Sequence, residues 1–302
     1  MGRPFFVSGR DRNVDIRALL AGLLFALIWS SAFTSARIIV EAAPPLMALS
    51  FRFAVSGLIG IGIALILGQS FRLTRGQWLS VLIFGICQNA LYLGLNFVAM
   101  QTVEASLAAI IASTMPLLVA AANWGLFRER LPVLGVLGLA AGFAGVALIM
   151  AYRFGGGADP FGVILCLIGA VALTVATLAM RGASSGKGNL LMVVGLQMIV
   201  GSIILLPAAL LLETFAVAWS TPLILAFVYT TLMPGLVATL IWFWLVDRIG
   251  ATRAATFHFL NPFFGVAIAA ILLGERLGLT DVLGVTIIAV GILAVQLARV
   301  KP

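Results

Sequence analysis

The stretch that most limits what this chain can fold into is one it contains twice. Shifting residues 105–131 (ASLAAIIASTMPLLVAAANWGLFRERL) by 146 positions lays Ala105, Ala108, Ala109, Pro116, Ala121, Leu126, Glu129, Arg130 and Leu131 on Ala251, Ala254, Ala255, Pro262, Ala267, Leu272, Glu275, Arg276 and Leu277. The register runs on without a gap, and Val136, Leu137, Gly138 and Gly145 meet Val282, Leu283, Gly284 and Gly291. One helical unit has been duplicated, and any fold must hold it twice.

The unit is too apolar for a water-soluble core. Of the 302 residues 63% are hydrophobic and 9% charged, where soluble domains carry about 25% charged residues. The chain is therefore expected to be a polytopic membrane protein, and its net charge of +8 has to be read by position, not as an affinity for nucleic acid. A helix crossing a hydrocarbon layer of ~30 Å needs ~20 apolar residues. Ten runs qualify: 18–40, 45–68, 77–100, 104–126, 132–152, 160–180, 190–212, 219–246, 251–272 and 279–299. The first 17 residues are too polar for a signal-peptide core, so the first run reads as an uncleaved span.

Basic residues give the orientation. Arg3, Arg10, Arg12 and Arg17 precede the first span; Arg72, Arg75, Arg128, Arg130, Arg181, Lys187, Arg248 and Arg253 fall in the even-numbered connections; Arg299 and Lys301 follow the last span. Cationic loops stay in the cytoplasm, which puts both termini inside. Each copy of the unit holds five spans, an odd number, so the second copy enters from the opposite face. The expectation is an all-α fold of ten transmembrane helices in two inverted five-helix repeats, 18–153 and 159–299, behind a cytoplasmic tail 1–17. Gly155, Gly156 and Gly157 join the halves. Inverted repeats place a transport site near the midplane between them.

Several residues interrupt the apolar background. Pro116 and Pro262 occupy equivalent positions in the fourth and ninth spans, and Pro234 lies within the eighth; each removes a helical N–H and frees a carbonyl, as a hinge in a transport path or as a tolerated kink. At helical spacing Asn89, Tyr92 and Asn96 share a face with Gln88 beside them, either lining a wet cavity or bonding between helices. Trp29, Ser30 and Ser31 break the first span, where hydroxyls also bond their own helix. Tyr229 is a cavity candidate, while Trp242 and Trp244 read as interfacial aromatics. His258 is the one histidine, open to substrate contact or proton coupling. Arg52, about seven residues into the second span, either snorkels outward to meet Glu41 or contacts an anion. The glycines at 135, 138, 142, 145, 284 and 291 offer small faces for close packing, within the fold or in a dimer.

What is missing also counts. Every Asp and Glu lies in the tail or near a span end, whereas ion-driven carriers keep a carboxylate inside the membrane; this favours facilitated movement. Gly186-Lys187-Gly188 lacks the spacing of a phosphate loop, so ATP is not expected to drive transport. Cys87 and Cys166 lie in apolar runs and suggest no disulfide. A single His and no acidic cluster leave no metal site, and no cofactor is expected. An intramembrane enzyme would require an acidic pair or a nucleophile with its base, and neither is present.

Residues 26–33 (ALIWSSAF), Pro44-Pro45, Phe51-Arg52-Phe53, Pro116 with Arg128-Glu129-Arg130-Leu131, and Asn261-Pro262 with 273–277 (LGERL) together resemble the EamA-type carriers of the drug/metabolite transporter superfamily, and within it the YddG-type bacterial exporters of aromatic and other amino acids. The resemblance spans the chain from first span to last. It implies an inner-membrane carrier working by alternating access, with a cavity lined by the first, third, fourth, sixth, eighth and ninth helices. Carried onto this sequence, it singles out Trp29, Ser30, Gln88, Asn89, Tyr92, Ser113, Tyr229, His258 and Phe259, with Pro116, Pro234 and Pro262 as hinges. Ser30 departs from the glycine that often follows the first-span Trp. The chain is expected to export amino acids, including aromatic ones, through a largely uncharged pocket, as a monomer or weak homodimer in the lipid bilayer. Its alternative is a multidrug or nucleobase exporter of the same superfamily.

Overall fold

In a computed structural model, residues 15–179, 189–249, 254 and 257–299 are described. Most of the tail 1–17 lies outside the described residues, as do Arg181, Lys187, Arg253 and Lys301 of the charge pattern and Ala251 and Ala255 of the repeat.

Helix starts follow local chemistry. The Asp15 carboxylate accepts from the Ala18 N–H at 3.2 Å and opens α1 (Ile16–Ala42), a side-chain cap for one of the four unpaired amides of a helix start. Pro45 opens α2 (Pro45–Ile66), needing no amide partner at that position. Thr74 and Gln77 form a reciprocal capping box at the head of α3 (Arg75–Ala99). The chain continues through α4 (Ala105–Gly125), α5 (Val133–Gly155), α6 (Pro160–Ala179) and α7 (Leu190–Leu212). Ser220 then caps α8, which runs Thr221–Leu232 and on through Ala238–Ile249. α9 (Asn261–Leu273) follows a 3₁₀ turn at Phe257–Leu260, and α10 (Leu279–Arg299) closes the chain.

Among the described residues the protein is all-helical and without strands; nine helices are long and apolar enough to cross a membrane, and the apolar helix 257–273 is shorter. α2 packs along α7, and α5 along α10. α1 lies against α8 and α9, and α3 against α6 and α7. α4 is the most enclosed helix, with Leu107, Ile110 and Ile111 fully buried at the centre of the core.

Two departures from ideal α-helix concern the predicted hinges and polar face. α4 is broken: it stops at Ala112 and restarts at Met115, so Pro116 occupies the second position of a new helical segment instead of kinking a continuous one. Pro262 is placed alike, second in α9 after the 3₁₀ turn. In α3, residues Phe84–Leu93 wind as a π-helix, and a second π turn at Met233–Val237 contains Pro234. Such turns concentrate at functional sites, and they invalidate the 3.6-residue spacing used above for Gln88, Asn89 and Tyr92.

The glycines pack within the fold. A Cβ at Gly138 would lie 2.7 Å from the Gly291 carbonyl oxygen, and one at Gly291 would lie 2.6 Å from that of Gly138; Gly145 and Gly284 face each other in the same way. At the Gly138–Gly291 crossing the α5–α10 seam is thus backbone against backbone, with Ile149 and Ile288 packed onto Gly284 and Gly145.

Candidate functional site

A cavity of about 70 Å³ lies between α1, α2, α3, α7 and α8, with room for a few waters. α3 supplies most of its polar lining through Gln88, Asn89, Tyr92 and Asn96. Asn89 donates through Nδ2 to the Gln197 carbonyl of α7 at 2.9 Å. That crossing is close because Gly201 has no side chain; a Cβ there would meet the Asn89 Cβ at 2.6 Å. Asn96 donates through Nδ2 to the Tyr92 carbonyl at 2.8 Å, beside Gly169 of α6. Rings of Trp29, Phe33 and Phe53 form the apolar wall, and Pro234 and Thr239 of α8 complete it.

Arg52 also lines this cavity, and one of its two sequence readings falls away. Its side chain neither snorkels nor meets Glu41. Glu41 instead takes the Arg37 Nε at 2.6 Å, while Arg37 Nη1 also donates to the Met100 and Val103 carbonyls. Arg52 is 5% exposed, its Nε is buried without an acceptor, and it has no carboxylate partner among the described residues. Its guanidinium stands 4.9 Å from the Phe53 ring centre, within cation–π range. The expected uncharged pocket holds a cation.

Of the residues singled out from sequence, Trp29, Gln88, Asn89, Tyr92 and Pro234 line the cavity. The others lie elsewhere. Ser30 is buried and bonds the Asn261 carbonyl at 3.3 Å, tying α1 to α9. Ser113 turns back to the Ala109 carbonyl at 2.7 Å beside the break in α4. Tyr229 shares a hydrogen bond of 2.6 Å with Ser31. His258 stands edge-on to Phe25 with ring centres 5.3 Å apart and 5.0 Å from Trp242, and its Nδ1 is 2.9 Å from Asn261 Nδ2. Phe259 packs against the central core. Trp242 is half-buried in a ring cluster, whereas Trp244 is exposed beneath Arg248. Pro116 and Pro262 are absent from the lining.

Among the polar lining residues, the sequence did not single out Gln197 and Thr239, nor did it point to the contribution of α2 and α7. A signal existed, since Gln197 is the single amide of α7. One amide in an apolar helix also serves ordinary helix pairing, so its presence alone does not mark a cavity.

The sequence profile of the EamA-like transporter family matches residues 16–151 and 160–297. A Bacillus subtilis (strain 168) protein named Uncharacterized transporter YvbV is 30% identical over 280 residues, covering 92% of this chain and 91% of its own. A Chlamydia muridarum (strain MoPn / Nigg) protein named S-adenosylmethionine/S-adenosylhomocysteine transporter is 29% identical over 152 residues, half of this chain and 47% of that one. A solved structure described as "Crystal structure of protein" superposes with a TM-score of 0.68 at 21% identity, covering 95% of this chain and all of the other, which speaks to fold alone.

Proposed function

The chain belongs to the EamA-like transporter family and is a multi-pass membrane transporter; from that premise we propose that it exports amino acids, including aromatic ones, by alternating access through the cavity around Arg52. The observation that carries this reading is a buried guanidinium without a counter-ion among the described residues. A guanidinium presents its donors as a fork that matches a carboxylate, and leaving it unpaired away from water is costly. A substrate carboxylate answers that cost while Trp29, Phe33 and Tyr92 accept an apolar or aromatic side chain. At about 70 Å³ the cavity is smaller than tryptophan, so this reading has the surrounding helices part to admit it.

Two five-helix halves in opposite orientation fit the packing. α2 pairs with its counterpart α7, and α5 with α10. The contact of α1 with α9 is matched by that of α6 with α4, and the contact of α3 with α6 by that of α8 with α1. The bacterial inner membrane with both termini in the cytoplasm is the setting that the basic residues favour. The absence of a carboxylate from the middle of every described span supports facilitative movement.

A second substrate has an observation of its own. The Chlamydia relative carries S-adenosylmethionine in its name, and that compound also joins an α-amino carboxylate to a ring system. Proteoliposomes loaded with unlabelled tryptophan, threonine or methionine, then given labelled tryptophan or labelled S-adenosylmethionine, separate the two. Tryptophan exchange without a pH gradient is expected, falling by at least about tenfold in Arg52→Gln. Uptake no greater than in empty vesicles for either compound would sink the reading.

A further inference from the structure

We infer that Asn96 is the residue with which the cavity reads an α-ammonium group, so that Arg52 and Asn96 together select zwitterions over plain carboxylates. This rests on the amino-acid reading above. Several buried side-chain polar atoms have no partner among the described residues. Those of Thr34, Ser106, Asn123 and Asn261 lie away from the cavity; the two that belong to its lining are Arg52 Nε and Asn96 Oδ1. They are opposite in kind, because Nε only donates and Oδ1 only accepts.

The direction of the Asn96 amide follows from chemistry. Its other terminal atom sits 2.8 Å from the Tyr92 carbonyl oxygen, which can only accept, so that atom is the NH₂ group. Turning the amide over would set two acceptors against each other. Oδ1 is therefore the atom left over, on a side chain 1% exposed and held in place where Gly169 makes room for it. An ammonium brings three donors and a carboxylate brings acceptors, so an amino-acid backbone carries the complement of each leftover atom. A carboxylic acid lacking the amine satisfies Arg52 and leaves Asn96 unpaired. Sites built to bond a polar group reject analogues that lack it far more strongly than apolar pockets reject a missing methylene.

The purified full-length protein in nanodiscs, titrated with tryptophan, indole-3-propionate and tryptamine, tests this. Indole-3-propionate keeps the ring and the carboxylate without the amine, and tryptamine keeps the amine without the carboxylate. The wild type is expected to bind tryptophan at least about tenfold more tightly than indole-3-propionate. Asn96→Leu should bring tryptophan down to the level of indole-3-propionate, whose own affinity stays. Arg52→Gln should weaken both carboxylates and spare tryptamine. Equal binding of tryptophan and indole-3-propionate by the wild type overturns the inference without any variant, and so does an Asn96→Leu protein that weakens both compounds alike. Those outcomes leave the amino-acid reading standing, whereas a wild type that binds none of the three removes that reading and this one with it.

Discussion

The two ends of the α2–α7 pair are built alike and charged differently. At one end the Leu46 and Met47 N–H groups that open α2 both donate to the Glu213 carboxylate just past α7, at 2.7 and 2.8 Å. At the other end the Met192 N–H that opens α7 donates to Gln69 Oε1 just past α2, at 3.0 Å. Each helix is capped by the residue that follows its partner. A helix start carries roughly half a positive charge, so a carboxylate holding two amides binds it more strongly than a neutral amide holding one. The Glu213 end repeats the device, because Glu275 accepts from the Ala105 and Ser106 N–H groups of α4 at 2.8 and 3.0 Å. There too Arg153 joins Glu104 and the buried Asp281. In the proposed orientation this is the outer end, and opening there is expected to cost more than at the Gln69 end.

Breaking the comparison outright should give the largest effect. Replacing both Glu213 and Glu275 with Ala leaves two helix starts uncapped, a loss of roughly 2–4 kcal/mol at cap-like values. In a Cys87→Ser, Cys166→Ser background, a cysteine placed at Ala36 on the cavity wall should then react with a polar maleimide at least about tenfold faster; an unchanged rate would show that the carboxylates do not hold that end. Glu213→Gln alone keeps an acceptor and loses the charge, so about 1 kcal/mol and a rise of only a few-fold are expected in the same assay.

Gln69→Glu sharpens the comparison from the other side. It gives the second end the same charge, and tryptophan exchange should slow by a few-fold, for about 0.5–1 kcal/mol, because both ends then resist opening. Faster exchange would contradict the account. The smallest effect concerns Asp15, also at the Gln69 end. Arg248 donates to its carboxylate at 2.6 Å, and that bond, helped by the Ala18 N–H, holds the Asp15 carboxyl below its usual range. A carboxylate depressed in the folded state contributes above its unfolded pKa and loses that contribution as pH falls through the folded value. Acidification below the usual carboxylate range should therefore loosen the α1–α8 tie slightly, the pair being solvent-screened. The difference in melting temperature between wild type and Asp15→Asn should be present at neutral pH and vanish in acid.

Much of this was legible in the sequence. The spans followed from hydropathy, and the doubled Glu129 and Glu275 stood out, although their position past a helix end gave no hint that Glu275 caps α4 across the fold. The face joining Gln88, Asn89 and Tyr92 was read with a straight helix in mind; the π winding of residues 84–93 changes the spacing, and no sequence period announces it. Arg52 was noticed and its surroundings were not, because whether a long side chain reaches water depends on which helices lie beside α2. His258 drew notice as the one histidine, a turn before Pro262 in the second copy of the repeat; that rings of α1 and α8 pack on it is not written in any sequence spacing.

The α5–α10 seam has a mechanical consequence. Where Gly138 meets Gly291, a Cβ on either residue would strike the other's carbonyl oxygen, while the Ile149 and Ile288 side chains pack onto Gly284 and Gly145, so a larger residue at 138 or 291 must push the two backbones apart. In the proposed alternating-access cycle, α5 and α10 are therefore expected to move as one piece while the other helices shift around them.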